Sequence, residues 1–367
     1  MELGPIATRA EQVSESGIRK FFQAAKPGSV SLALGQPDFV TPLHIRQAAI
    51  TAIEEGKTGY TFNTGIPELR EAICSVLLTH NNLSYEPDQL VVTAGAGEAI
   101  FVAMQALVDT GDRVLIPNPG FVSYRECVTL AGGCPDALPL DADLHLNVEV
   151  VQEHLDGARL MVLNSPANPT GVVEPEETIR AIVEYANDAG VCVLSDEVYE
   201  HFVYDAETVS AARFSEDVIT VNATSKTYAM TGWRVGYLAG PEAYVRQCVK
   251  IHQYCQTCAC SISQYAALAA YTGDQSCVQE MRDEYALRRD LLSKGLYDLG
   301  FSFPMPQGAF YLFVPMDAET FSAIIEQGVV IVPGDAFGSG GEGFARFSYA
   351  ASREVIQTAL DRIGHAL

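Results

Sequence analysis

Short apolar runs alternate with longer amphipathic stretches along most of the chain. LVVTAG (90–95) leads into EAIFVAMQALVD, DRVLIPNPG into FVSYRECVTLAGG, and ARLMVLNSP into PEETIRAIVEYANDAG, with VCVLSDEVYE and DVITVNATSK following. Each apolar run ends in Gly, Asn, Asp or Ser, which predicts buried parallel strands joined by stretches of helical period. That alternation implies an α/β layered domain over residues 45–270, with a mostly parallel central sheet sandwiched by helices. The last hundred residues read differently. A long charged helix (QEMRDEYALRRDLLSKGLYDLG) precedes strands at AFYLFVPM, VVIVPG and ARFSYA and a closing helix at SREVIQTALDRIGHAL. Residues 271–367 therefore form a smaller α+β domain, joined by residues 1–44.

Ligands of an open parallel sheet bind beyond the carboxyl ends of its strands. Five such ends carry glycines or polar groups: Gly95 to Gly97, Asn118 to Phe121, Asn164 to Asn168, Asp196 to Tyr199, and Asn222 to Lys226. They are expected to converge on one crevice. Charge narrows the ligand. The formal net charge is −23, with only 23 Lys and Arg among 367 residues, which argues against nucleic acid or an anionic membrane as partner. Nine cysteines lack a regular framework and read as reduced thiols of a cytoplasmic protein. The N-terminus lacks an apolar signal core, and nowhere do 18 apolar residues run together.

Against so few cations, SKTYAMTGWRVG (225–236) places Lys226 and Arg234 eight positions apart in a Gly- and Ser/Thr-rich stretch. A partly desolvated lysine near other cations has a depressed pKa and forms Schiff bases, while an arginine offers a planar fork to phosphate. TAGAGEAI (93–100) places glycines at a strand-to-helix turn, whose free N–H groups suit an anion. It lacks the third glycine of a dinucleotide fingerprint and the acidic residue about 20 positions on. Taken alone, Asp196 could cap a helix, and Phe121 and Tyr199 could be core aromatics. HQYCQTCAC gathers His252, Cys255, Cys258 and Cys260, but in a helix running into a turn rather than as two separated ligand pairs. No metal is expected there, and the remaining histidines (44, 80, 145, 154, 201, 365) read as surface or helix-end residues.

SKTYAMTGWRVGY resembles the lysine motif of the pyridoxal-phosphate aminotransferases of fold type I, the aspartate aminotransferase-like group. NSPANPTG (164–171), SDEVYE (195–200), GYTFNTGIPELREAI (59–73), LGQPDF (34–39) and ARFSYA (345–350) resemble that family's other landmarks in order and spacing. The resemblance implies pyridoxal 5'-phosphate held covalently by Lys226, whose freed amine then serves as the base. Asp196 would pair with the pyridine nitrogen, Tyr199 and Asn168 with the phenolic oxygen, and Phe121 would stack on the ring. Ala96, Gly97, Ser225 and Arg234 would hold the phosphate, with Tyr60 reaching it from the second subunit of a homodimer. Arg346 would clamp the substrate α-carboxylate beside Gly35 and Asn168. The chain departs from the pattern at Ala223, where relatives often carry a phosphate-binding serine, leaving Thr224 or water to replace that bond. Gly97 stands where some dicarboxylate-specific relatives carry a lysine. The implied activity is transfer of an α-amino group from an amino acid to a 2-oxo acid in a ping-pong cycle. A carbon–sulfur β-lyase is the alternative, since it begins from the same carbanion, and an effector-sensing regulator is a third reading.

Overall fold

The computed structural model describes residues 6–15, 17 and 27–367. Of the N-terminal segment assigned to the smaller domain, residues 1–5, 16 and 18–26 lie outside the described residues. The central sheet has seven strands: β2 (Leu90–Thr93), β3 (Arg113–Asn118), β4 (Cys134–Pro139), β5 (Ala158–Asn164), β6 (Cys192–Asp196), β7 (Val218–Ala223) and β8 (Gly236–Ala239). Their order is β2-β8-β7-β6-β5-β3-β4. Every pairing is parallel except the two made by β8.

Side-chain alternation explains why these runs are apolar throughout. Val114, Ile116, Leu160, Val162 and Leu194 face a core formed with helices Ala96–Leu107 and Glu242–Cys255. Leu115, Met161, Leu163 and Val193 face a second core with helix Glu176–Asp188 on the other side. With both faces covered, successive residues must all be apolar although they point in opposite directions. Helix Ala96–Leu107 docks through Ala99, Ile100, Ala103, Met104 and Leu107, a helical stripe. At the edge, β4 carries two prolines and exposed positions, as an unpaired margin tolerates.

The C-terminal part carries two small sheets. β9 (Tyr311–Pro315), β11 (Val332–Pro333) and β12 (Phe344–Ser348) form an antiparallel sheet in the order β11-β12-β9. β1 (Val30–Ser31) pairs in parallel with β10 (Val329–Val330). The single strand expected at VVIVPG is thus two. The chain leaves one sheet after Val330 and joins the other at Val332, where Pro333, lacking an N–H, ends the ladder. Helix Ser276–Asp298 and the closing helix Arg353–Ala366, capped by Ser352, cover these strands. Leu292, Phe310, Leu312, Phe347 and Ile356 share a core with Val198, Tyr199 and Ala223 from the ends of the central strands. This continuity brings the C-terminal residues over the strand ends. No described helix is long and apolar enough to cross a membrane.

Candidate active site

A cavity of about 350 Å³ lies beyond the carboxyl ends of β2, β3, β5, β6 and β7. All five predicted strand ends contribute to its wall: Ala96 and Gly97, Phe121, Asn164 and Asn168, Asp196 and Tyr199, and Ser225 with Lys226. Gly35, Arg234 and Arg346 line it as well. Tyr60 does not. It is 88% exposed, in a separate surface groove with Phe62.

Lys226 sits on a one-turn helix, Thr224–Thr227, directly after β7. Its Nζ donates to the Gly35 carbonyl at 2.7 Å. Burial, followed by the charges of Arg346 and Arg234, pulls its pKa down to about 8, against a smaller opposing pull from Asp196. Asp196 ends β6 and is buried. Its Oδ2 accepts from the Tyr124 hydroxyl at 2.7 Å, and Oδ1 from the Val198 N–H at 3.4 Å. Burial raises its pKa to about 6, while the Tyr124 bond works in the opposite direction.

The glycine turn holds helix Ala96–Leu107 against the lysine segment. Gly95 has φ +85°, and a Cβ there would stand 2.6 Å from Arg234 Nη2. A Cβ on Gly236 would meet Gly95 C at 2.7 Å. Only glycine permits this approach. The Arg234 guanidinium donates to the Ala94 and Thr231 carbonyls at 2.9 and 3.1 Å, so it stands at the helix N-terminus. Arg234 itself is left-handed (φ 57°), a conformation that costs a non-glycine residue energy and that clusters at functional sites.

Arg346 is 1% exposed, on β12. Its Nη1 donates to Asn168 Oδ1 at 2.8 Å and its Nη2 to the Ala33 carbonyl at 2.7 Å, while Nε is buried without a partner. The rings of Tyr311 and Phe337 lie 4.3 and 4.7 Å from its guanidinium carbon. Among the described residues no carboxylate forms an ion pair with it. Such a charge is costly to bury alone and favours an arriving anion.

Several details differ from expectation. The Thr224 hydroxyl donates to the Val235 carbonyl at 3.1 Å, so it does not replace the bond missing at Ala223. The Tyr199 hydroxyl is paired with that of Tyr311 at 2.8 Å. His252 is fully buried and binds Glu98 Oε1 through Nδ1 at 2.9 Å, whereas Cys255 and Cys260 are exposed. His80 does lie at a helix end, but it and His201, expected to form no spaced cluster, stack on each other. Two tyrosines that line the cavity lie outside the sequence expectations. Tyr124 lies one helical turn beyond Phe121, a spacing that could have flagged it, whereas Tyr311 sits in an apolar strand that reads as core. Tyr311 also explains Gly35, since a Cβ there would come 2.2 Å from its hydroxyl.

The cavity fits pyridoxal phosphate: an amine, a buried carboxylate, an aromatic face, a helix N-terminus beside a guanidinium, and a second guanidinium with an orphaned Nε. A probable aspartate aminotransferase of Methanocaldococcus jannaschii is 43% identical, over 97% of this chain and 98% of its own length. The aromatic-amino-acid aminotransferase 2 of Thermococcus litoralis is 39% identical, over 99% and 98%. The structure of Thermus thermophilus aspartate aminotransferase with maleate superposes with a TM-score of 0.95 at 35% identity, covering all of both chains. These relatives are aminotransferases, so the β-lyase reading is set aside. The Aminotransferase class I and II family matches residues 27–363, and the chain belongs to it.

Proposed function

We propose that this aminotransferase holds pyridoxal 5'-phosphate on Lys226 and takes the α-carboxylate of its amino acid and 2-oxo acid substrates on Arg346. When bound, that group supplies an electron sink that acidifies the Cα–H of an amino acid. The chain's own residues do the rest. With a pKa of about 8, roughly one Lys226 amine in ten is neutral at pH 7, free to act as nucleophile and then as base. Asp196, ionised above about pH 6 and steadied by Tyr124, would hold a proton on the ring nitrogen. Phe121 would offer the stacking face, Tyr199 and Asn168 would serve the phenolic oxygen, and Ala96, Gly97, Ser225 and Arg234, which line the same cavity, would offer phosphate donors. The 45–270 domain would thus supply the cofactor groups, and the domain formed by 1–44 and 271–367 would supply Gly35 and Arg346 and close on substrate.

The observation carrying this reading is the buried guanidinium of Arg346, held by neutral acceptors in the same cavity as Lys226. Lys226, Arg234 and Arg346 are the only cations lining that cavity among the described residues. With all three assigned, none remains among the described residues lining the cavity for a distal carboxylate, so the reading favours uncharged side chains. Homodimerisation is supported by the number of large apolar side chains left exposed over residues 40–62: Val40, Leu43, Ile50, Ile53, Tyr60 and Phe62. Borohydride reduction of the loaded protein should fix the cofactor to Lys226. A single-turnover spectral screen against the twenty amino acids should then show which of them convert it to the amine form. A colourless protein that traps nothing, or one that makes pyruvate and ammonia without a 2-oxo acid, overturns the proposal.

A further inference from the structure

The segment after β6 turns one set of side chains to the active-site cavity and the other set to a second cavity of about 280 Å³. Asp196 and Tyr199 line the first, and Glu197 and Glu200 line the second. His80, in the last turn of helix Pro67–Asn81, also lines the second. Its ring stacks on that of His201 with centroids 4.5 Å apart. His80 Nε2 lies 3.9 Å from Glu200 Oε2, and His201 Nε2 lies 3.6 Å from Glu200 Oε1. The donor atoms of all three residues fall within 4.8 Å of one another, the one such His/Cys/Asp/Glu group among the described residues.

This spacing is close to that of metal ligands. Tetrahedral donors at about 2.0–2.2 Å from zinc stand roughly 3.3–3.6 Å apart, so the two His–Glu pairs are nearly in place and the set, within 4.8 Å, closes with a shift of up to about 1.5 Å. His80, 45% exposed at a helix end, is free to make that shift. Glu200 is held in place by the side-chain amides of Asn81 and Asn222, each donating at 2.6 Å, as the outer partners of a ligating carboxylate do. Asn81 Oδ1, buried without a partner, adds another oxygen at the same spot. The carboxyl groups of Glu197, Glu200 and Glu207 line this cavity against the single guanidinium of Arg213.

We propose that His80, Glu200 and His201 bind one divalent transition-metal cation. Two imidazole nitrogens and a carboxylate select zinc and its neighbours over magnesium or calcium, and water from the cavity fills the open positions. The ion ties the end of helix Pro67–Asn81 to the segment that carries Asp196 and Tyr199. The test uses chelator-treated, cofactor-loaded protein titrated with Co²⁺ and then competed with Zn²⁺. One ion per chain should bind, with visible d–d bands, no thiolate charge-transfer band and a rise in Tm. His80→Ala should weaken binding about tenfold or more and abolish the Tm gain, and His201→Gln should do the same. The triple change Cys255→Ser, Cys258→Ser, Cys260→Ser should leave both intact. No saturable binding overturns the proposal. So does binding that survives His80→Ala, or that disappears with the cysteines. Should His201→Gln fail to fold, the exposed His80 position decides.

Discussion

Asp196 and Glu197 are neighbours in the chain and equally buried, yet they face cavities of opposite charge. Asp196 is the one carboxylate among three cations, and burial lifts it to about 6 while Tyr124 and Lys226 hold it down. Glu197 shares its cavity with Glu200 and Glu207; burial and then the charge of Glu200 push it up to about 8. At pH 7 the first is an anion and the second carries its proton. Burial is the largest cause and raises both; the neighbours set how far each carboxyl moves. One turn of chain thereby separates a cation-lined cavity, suited to phosphate and carboxylate, from an acid-lined one suited to a metal ion.

The sharpest way to break this contrast is to remove its central cation. Lys226→Met should lower turnover by about 10⁴-fold, since nucleophile and base go together. The same change should stabilise the cofactor-free protein. The Lys226 pKa is depressed in the fold, so its contribution to stability is fully present only above its unfolded value of 10.5 and is lost as pH falls to about 8. Below pH 8 the wild type therefore bears the whole penalty, about 3 kcal/mol, and the variant bears none. Melting curves from pH 7 to 10.5 should show the gap between the two proteins narrowing as pH rises. A constant gap would mean that Lys226 is not desolvated by the fold.

Arg346→Lys tests the second cation more gently. An ammonium keeps the charge but loses the fork, so KM for amino acids should rise about 30- to 100-fold, the equivalent of losing one charge-assisted bond. Cofactor absorbance should stay. Bleaching instead of a KM effect would assign Arg346 to the cofactor or the fold.

The acid-lined cavity was far less legible in the sequence than the cation-lined one. Lys226, Asp196, Asn168 and Phe121 sit at strand ends, where apolar runs stop, and local pattern marks those positions. His80 and His201 belong to separate elements, and only the fold stacks them. Secondary structure divides in the same manner. β5, β6 and β7 are buried on both faces and read as apolar runs. β4 (CPDALP) has prolines and exposed positions because it is an edge, so its pattern is that of a loop. β8 (GYLA) is only four residues long and follows directly on the lysine motif, whose glycines and hydroxyls mask it. Tyr311 reads as core because it is core; its hydroxyl acquires meaning only beside Tyr199 and Gly35.

The smallest expected effect comes from Ala223→Ser, which refines the anion side of the contrast. Ala223 lines the cavity and is 2% exposed, so an added hydroxyl has no bulk water to reach. The Thr224 hydroxyl is committed to the Val235 carbonyl, so it does not already fill that role. If the phosphate end of the cofactor lies there, the hydroxyl gains a charge-assisted bond worth at most about 1.5–3 kcal/mol, and cofactor Kd should fall about 3- to 10-fold after desolvation is counted. KM for the amino acid should not move, because Arg346 is untouched. In the cofactor-free protein the same hydroxyl is buried without a partner and should lower stability by about 1 kcal/mol. Tighter cofactor binding together with a less stable empty protein is the pairing that only an anion beside Ala223 produces. A destabilised protein with unchanged Kd would put the phosphate elsewhere.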